Sequence, residues 1–293
     1  MTARKLKVIL ALAVALAAAA VLFVAAAVFL KGCSQQHYRG SGHQDVTFDI
    51  SAKGDQMVFN GVGQGGRDLY LLDLKTWRVT RVARTAEYEV DPAFSPNGKT
   101  LVYAAGTPGD RADHLFVRPL NPRGAPHQLT AGDVSDASPS FLPDGSWIVF
   151  ARARRYLFGG LMNGVWEGWS TWSLKPDGTG LRRENGKGRV FGNPPRSLSY
   201  GEFVLAPLPP SFAISHARVK QTLAPMPDVY FKDWTRPITL PRTSRILFLV
   251  EVWQEGPSGV SKKELWQVEQ SGLKPPQRVA SSRLFDDPLG WTP

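Results

Sequence analysis

Hydrophobic positions along the chain follow two regimes. From Val8 to Leu30 the sequence reads VILALAVALAAAAVLFVAAAVFL without one polar side chain. After residue 43, apolar residues come in short runs separated by Gly, Pro, Asn and Asp. The first regime predicts a helix: residues 8–30, at about 1.5 Å each, make one roughly 35 Å long, enough to cross a hydrocarbon core of roughly 30 Å. A helix packed into a soluble core keeps a polar face, and this one has none. Arg4, Lys5 and Lys7 precede it, so residues 1–7 are expected in the cytoplasm and the chain beyond the helix outside it. A secretory signal has an apolar stretch of only about 7–15 residues. The length here favours an uncleaved anchor, followed by a polar spacer over residues 31–43.

The second regime repeats. DVTFDISAKGDQMVFNG, DPAFSPNGKTLVYAA and ASPSFLPDGSWIVFARA are followed by DLYLLDL, DHLFVRPL and STWSLKPDG. The turn glycines Gly54, Gly98 and Gly145 are 44 and 47 residues apart, and a fixed period in that range marks a repeat architecture. In each unit a strand ends near Phe48, Phe94 or Phe141. A turn follows, in which Pro presets φ and Gly takes the positive-φ position. The second strand (MVF, TLVYAA, WIVFA) is rich in β-branched and aromatic residues; a third alternates and a short fourth closes the sheet. Such a sheet has two apolar faces and is not stable alone. Radial stacking covers both faces and predicts a β-propeller.

The expected blades lie near residues 44–85, 89–131, 134–184, 188–230 and 233–281, with a stub at 284–293. In the fourth, NPPRS, PLPPS and APMPD confine strands to short pieces, and FVLAPL and FAISHARV are the candidates. In the fifth, TRPITL, RILFLVEVW, KELWQVEQ and PQRVAS read as strands, but Pro241-Arg242 replaces Pro-Asn or Pro-Asp and the turn glycine is missing. Trp291-Thr292-Pro293 overlays Phe94-Ser95-Pro96, where a further blade would begin. The expected fold class is all-β: a β-propeller of about five to six four-stranded blades, preceded by one N-terminal transmembrane or signal-anchor helix.

The second and third units resemble the WD-like propeller repeats of the TolB type, found in TolB and in the propeller domains of prolyl oligopeptidase relatives. The likeness runs over roughly residues 44–184, and the first unit departs from it because Ser51-Ala52-Lys53-Gly54 lacks the proline. The resemblance implies an extracytoplasmic propeller. The peptidase activity of the oligopeptidase relatives is not expected, since 293 residues leave no room for a hydrolase domain beside the propeller. A second resemblance sits just after the apolar run: Leu30-Lys31-Gly32-Cys33 is similar to a bacterial lipoprotein box. There Cys33 would be lipidated, although Lys31 and the long apolar run depart from the pattern. The alternative is a free thiol next to an interfacial lysine.

Composition narrows the chemistry. One cysteine excludes an internal disulfide framework and a cysteine-rich zinc site. The five histidines, His37, His43, His114, His127 and His216, show no metal-like spacing. No G-x-S-x-G elbow occurs, and Gly256-Pro257-Ser258-Gly259 reads as a turn. No cofactor or metal is expected. Asp45, Asp91 and Asp136 recur just before the inner strands. They are either channel carboxylates able to hold a cation or act on a substrate, or caps on the inter-blade loops.

Residues 152–172, RARRYLFGGLMNGVWEGWSTW, insert about ten residues between the second and third strands of the third unit. Arg152, Arg154 and Arg155 meet Tyr156, Phe158, Trp166, Trp169 and Trp172 there. Arg with Trp and Tyr is the composition of interface hot spots, which makes this stretch the candidate partner-binding site; the other reading is a hairpin folded onto its own blade. The net charge is +10, and removing Arg4, Lys5, Lys7 and Lys31 leaves +6 beyond the spacer's first residue.

Together these features point to a membrane-anchored, extracytoplasmic propeller that binds an envelope protein without catalysis. It would touch the membrane through its helix and bind no nucleic acid. The alternative is a propeller enzyme acting on envelope carbohydrate or another small substrate through Asp91 and Asp136.

Overall fold

The computed structural model describes residues 46–63, 66–82, 88–106, 112–120, 123–159, 163–184, 189–191, 197–199, 203–208, 211–216, 219–223, 231–253, 261–269 and 276–293. The expected membrane segment, Cys33, His37, His43, Asp45 and the turn at 256–259 lie outside these residues. Among the described residues no helix is long and apolar enough to cross a membrane.

The described chain is all-β apart from one short helix. The first sheet runs in the order β1 (Phe48–Ile50), β2 (Gln56–Val62), β3 (Arg67–Asp73), β4 (Val79–Arg81). The second repeats it with β5 (Tyr88–Phe94), β6 (Thr100–Gly106), β7 (His114–Pro119) and β8 (His127–Gln128). The third is β9 (Ser135–Phe141), β10 (Ile148–Ala153), β13 (Ser170–Leu174) and β14 (Arg182–Arg183). Between β10 and β13 the chain makes a separate hairpin, β11 (Arg155–Gly159) and β12 (Asn163–Glu167). Where a four-stranded fourth blade was expected, the strands fall into a pair, β15 (Arg189–Phe191) and β16 (Ser197–Ser199), and a three-stranded sheet, β17 (Phe203–Leu208), β18 (Ser211–His216) and β19 (Val219–Leu223). A last four-stranded sheet holds β20 (Phe231–Thr239), β21 (Arg245–Trp253), β22 (Ser261–Glu269) and β23 (Gln277–Ala280). In place of a stub strand stands α1 (Arg283–Asp286).

The second strands show why the sheets need one another. Residues 57–61 of β2, 101–106 of β6 and all of β10 are buried in unbroken runs. A strand buried on both faces has neighbours on both sides, so alternation disappears. The core is shared between sheets: Val90, Val102, Ala104 and Leu115 of the second pack with Ile148, Phe150 and Leu174 of the third.

The turns report the order of the sheets. The amide of Gly98 donates to Ser95 O and that of Gly145 to Leu142 O, both at 2.8 Å. A Cβ on Gly145 would lie 3.6 Å from Cδ of Pro96 in the preceding turn, and one on Gly54 would lie 3.4 Å from Cδ of Pro241 in the last sheet's turn. The last four-stranded sheet therefore adjoins the first as the second adjoins the third. Their joint core holds Phe48, Met57, Phe59 and Leu72 with Leu240, Leu247, Leu249 and Leu265, and α1 adds Leu284 and Phe285. The missing turn glycine has a local explanation. Thr243 N donates to Leu240 O at 3.2 Å and the positive φ, +62°, moves one residue back, onto Arg242. A turn with Pro second and a positive φ third needs no glycine fourth.

Candidate functional site

The inserted hairpin is the largest departure from the repeat. Its strands pair Arg155 with Glu167, Tyr156 with Trp166 and Leu157 with Val165. The Tyr156 and Trp166 rings meet edge-on at 5.3 Å, and Arg155 pairs with Glu167 at 2.9 Å. That ion pair is exposed and contributes little to stability. Trp166 is buried against Ala112 of the second sheet's loop and Ala153 of the third sheet, with Trp169 alongside. Trp169 Nε1 donates to the Trp166 carbonyl at 3.0 Å. The hairpin is thus fastened across two sheets through one face. Arg154, Arg155 and Leu157 remain exposed, and Tyr156, Trp169 and Trp172 half-buried.

Arg152 is held elsewhere. It is 5% exposed, and its Nε and Nη2 donate to the two oxygens of Asp136 at 2.6 and 2.8 Å. The two residues face each other directly across β9 and β10. The guanidinium carbon lies 5.3 Å from the Phe150 ring and 5.4 Å from the Trp172 ring, and Arg154 lies 5.7 Å from Trp172. Cation–π contacts of this kind contribute roughly 0.5–2 kcal/mol each, more as water is excluded. Of the eight residues singled out in this stretch, Arg152 and Trp166 therefore face inward. Arg154 and Arg155 are exposed, Tyr156 and Trp169 are half-buried against the Trp166 cluster, Trp172 is half-buried between the Arg152 and Arg154 guanidiniums, and the Phe158 side chain lies outside the described residues.

The carboxylates offered for chemistry are bound into the fold. Asp136 is occupied by Arg152. Asp91 sits at a bulge with φ +51°, and its Oδ2 accepts from the amide and hydroxyl of Ser138 at 2.9 and 3.2 Å. The Asp91 amide in turn donates to Thr47 Oγ1 at 3.0 Å. Thr47, Asp91 and Ser138 are 44 and 47 residues apart, the spacing of the turn glycines. They are one repeat position linking three consecutive sheets. Asp49 adds a parallel bond, its Oδ2 accepting from the Phe94 amide at 2.8 Å. No group of three or more His, Cys, Asp or Glu able to hold a metal occurs among the described residues. His127 is exposed on β8 and His114 half-buried on β7.

Two buried acids were not singled out from the sequence. Glu89 is fully buried and its Oε2 accepts from the Leu69 amide at 3.2 Å, joining the first two sheets. Asp68 is 2% exposed and lies 3.4 Å from Arg81 Nε. Burial pushes the Asp68 carboxyl above the ordinary carboxylate range and Arg81 pulls it partly back. Alternation in RDLYLLD and YEVDPAF puts both acids in strands, but only knowledge of the neighbouring sheets would show that both faces are covered.

No family model matches the chain. A TolB homologue of Chlorobium chlorochromatii is 33% identical over 110 residues, which make up 37% of this chain and 24% of the relative. The match thus spans about a quarter of the curated relative's length. TolB from Acinetobacter baumannii is 16% identical with a TM-score of 0.40, covering 78% of this chain and 52% of that one. TolB from Agrobacterium tumefaciens is 16% identical with a TM-score of 0.37, covering 78% of this chain and 62% of that one. An oligogalacturonate lyase in complex with manganese is 13% identical with a TM-score of 0.36, covering 81% and 67%. At such scores the solved structures carry no argument about function. The sequence match agrees with the repeats: this is a TolB-like β-propeller protein.

Proposed function

We propose that the protein is a membrane-anchored, extracytoplasmic propeller scaffold that binds an envelope protein through the β11–β12 hairpin and catalyses nothing. The observation that carries this reading is a contrast between two sets of polar residues. Asp91 and Asp136, the carboxylates available for chemistry, are committed to Ser138 and Arg152 inside the fold. Arg155 and Leu157 stand exposed on a hairpin that the repeat itself does not need, with Arg154 exposed beside it and Tyr156 and Trp169 half-buried at its base. An anchored aromatic base with exposed arginines beside it is what a protein interface uses, burying the aromatics and pairing the cations.

The anchor would be residues 8–30, with Cys33 either free or lipidated. The ring would be completed between the third and last four-stranded sheets by β15–β19, as one five-bladed or a degenerate six-bladed propeller. A photo-crosslinking amino acid placed at Leu157 should capture one discrete envelope protein in living cells, and the Arg154→Glu/Trp169→Ala pair should abolish the adduct. Adducts that are absent, or unchanged in the variant, would sink the hairpin reading. Fatty-acid labelling lost on Cys33→Ser would assign the lipid anchor; label that persists or is never incorporated leaves the spanning helix.

A further inference from the structure

The turns joining first to second strands, and third to fourth, gather on one face. Within a sheet the two turns touch: the Leu74 amide donates to Asp55 O at 2.9 Å and the Leu120 amide to Lys99 O at 2.8 Å. In the third sheet the Lys175 ammonium lies 6.0 Å from the Trp147 ring. Between sheets, the Gly145–Pro96 and Gly54–Pro241 contacts join the same turns. This face presents Lys53, Lys75, Arg78, Lys99, Lys175 and Arg242, all exposed.

Its carboxylates are directed to their own turns. Asp73 Oδ1 accepts from the amides of Lys75 and Thr76, both at 2.8 Å. Asp144 Oδ1 accepts from the Ser146 amide at 3.0 Å and Asp177 Oδ1 from the Thr179 amide at 2.9 Å. Asp55 Oδ1 accepts from Ser51 Oγ at 2.8 Å. Bonds from Thr76, Ser146 and Thr179 hold the Asp73, Asp144 and Asp177 carboxyls below the usual range. These bonds leave the carboxylates charged, but the six exposed cations outnumber the four carboxylates by two, so the turns are net positive.

The opposite face is where Arg155 is offset by Glu167 and where the chain enters β1 from residue 46. The cations are spread over neighbouring sheets instead of converging, so a small anion would meet one or two of them and an extended one would meet most. We propose that this turn face binds a polyanionic polymer carrying phosphate or carboxylate groups along its length. The inference stands on the charge of the turns and does not depend on the hairpin.

The test uses the full chain in neutral detergent and fluorescein-labelled polyphosphate. Saturable binding is expected at about 0.15 M salt, with log affinity falling linearly as log salt rises. Lys53→Glu/Lys99→Glu should weaken it by about tenfold or more, whereas Lys262→Glu/Lys263→Glu, the same charge change at the start of β22 on the other face, should shift it by less than about threefold. Melting curves matching the parent establish that both pairs are folded. Equal losses in the two pairs would reduce the effect to overall charge and overturn the proposal. So would the absence of saturable binding, or turn-face binding to vesicles of anionic lipid without binding to polyphosphate. Crosslinking at Leu157 reads the hairpin separately, so failure of one proposal leaves the other in place.

Discussion

The junction between the second and third sheets and the junction between the last and the first share a geometry, a turn glycine seated on the preceding turn's proline. They differ in what else holds them. At the former, Asp91 reaches across to Ser138 and the apolar core is formed by strands alone. At the latter, α1 and the segment after it fill the seam: Phe285 meets Phe59 edge-on at 5.5 Å and Trp291 lies 6.2 Å from Trp77. A Cβ on Gly61 would come within 2.6 Å of Pro288 Cγ, so this segment is seated directly on β2. A polar bond can serve where both partners are consecutive repeats with the same bulge. The seam joins repeats distant in sequence, and there burial supplies the adhesion, which is non-directional and tolerates imperfect register.

The largest effect is expected at the seam. Phe285→Ala should cost about 3–5 kcal/mol, read by urea unfolding followed through tryptophan fluorescence; a loss below about 1 kcal/mol would mean that α1 only rests on the surface. Asp91→Ala should cost about 1–3 kcal/mol because it leaves the Ser138 amide buried and unpaired. Asp91→Asn, which keeps an acceptor and tolerates the positive φ, should retain most of the stability. If the asparagine variant loses as much as alanine, the carboxylate charge matters and not the bond.

Smaller changes sharpen the picture. Arg242→Gly should stabilise by about 1 kcal/mol, since Arg242 sits at φ +62°; a lower melting temperature would show that the arginine itself holds the turn. Asp68→Asn tests the first sheet. The Asp68 carboxyl has a raised folded-state pKa, so its neutral form is favoured in the native state, and that preference is lost as stabilisation when pH rises through the folded value. The variant should therefore melt above the parent at neutral pH, less whatever the Arg81 contact contributes, with the gap closing as pH falls through the raised folded value and closed below about 3.9. A gap that widens in acid would reverse the sign.

Legibility in the sequence was uneven for physical reasons. The repeats at Gly54, Gly98 and Gly145 were readable because each turn is local: proline, glycine and two flanking apolar runs suffice. The last sheet was readable despite losing its glycine, because RILFLVEVW is long and apolar enough to declare a buried strand. Of the strands from β15 to β19, only β17 and β18 were legible, as FVLAPL and FAISHARV, since proline clusters mark where pairing stops but not which partner is chosen. At the candidate site, arginine and tryptophan were visible as a composition. Which of them faced out was not: Arg152 and Arg154 are identical in type and two residues apart, and only the position of Asp136 opposite Arg152 separates them.

The amino-acid order by itself determined the turn positions, the apolar strands and the all-β class, because these depend on contacts a few residues apart. Tertiary structure decided that Asp91 joins sheets, that Arg152 is an internal cation and that the turn cations share one face. Each of those outcomes depends on groups more than ten residues distant, brought together only when the sheets stack, and no local pattern encodes them.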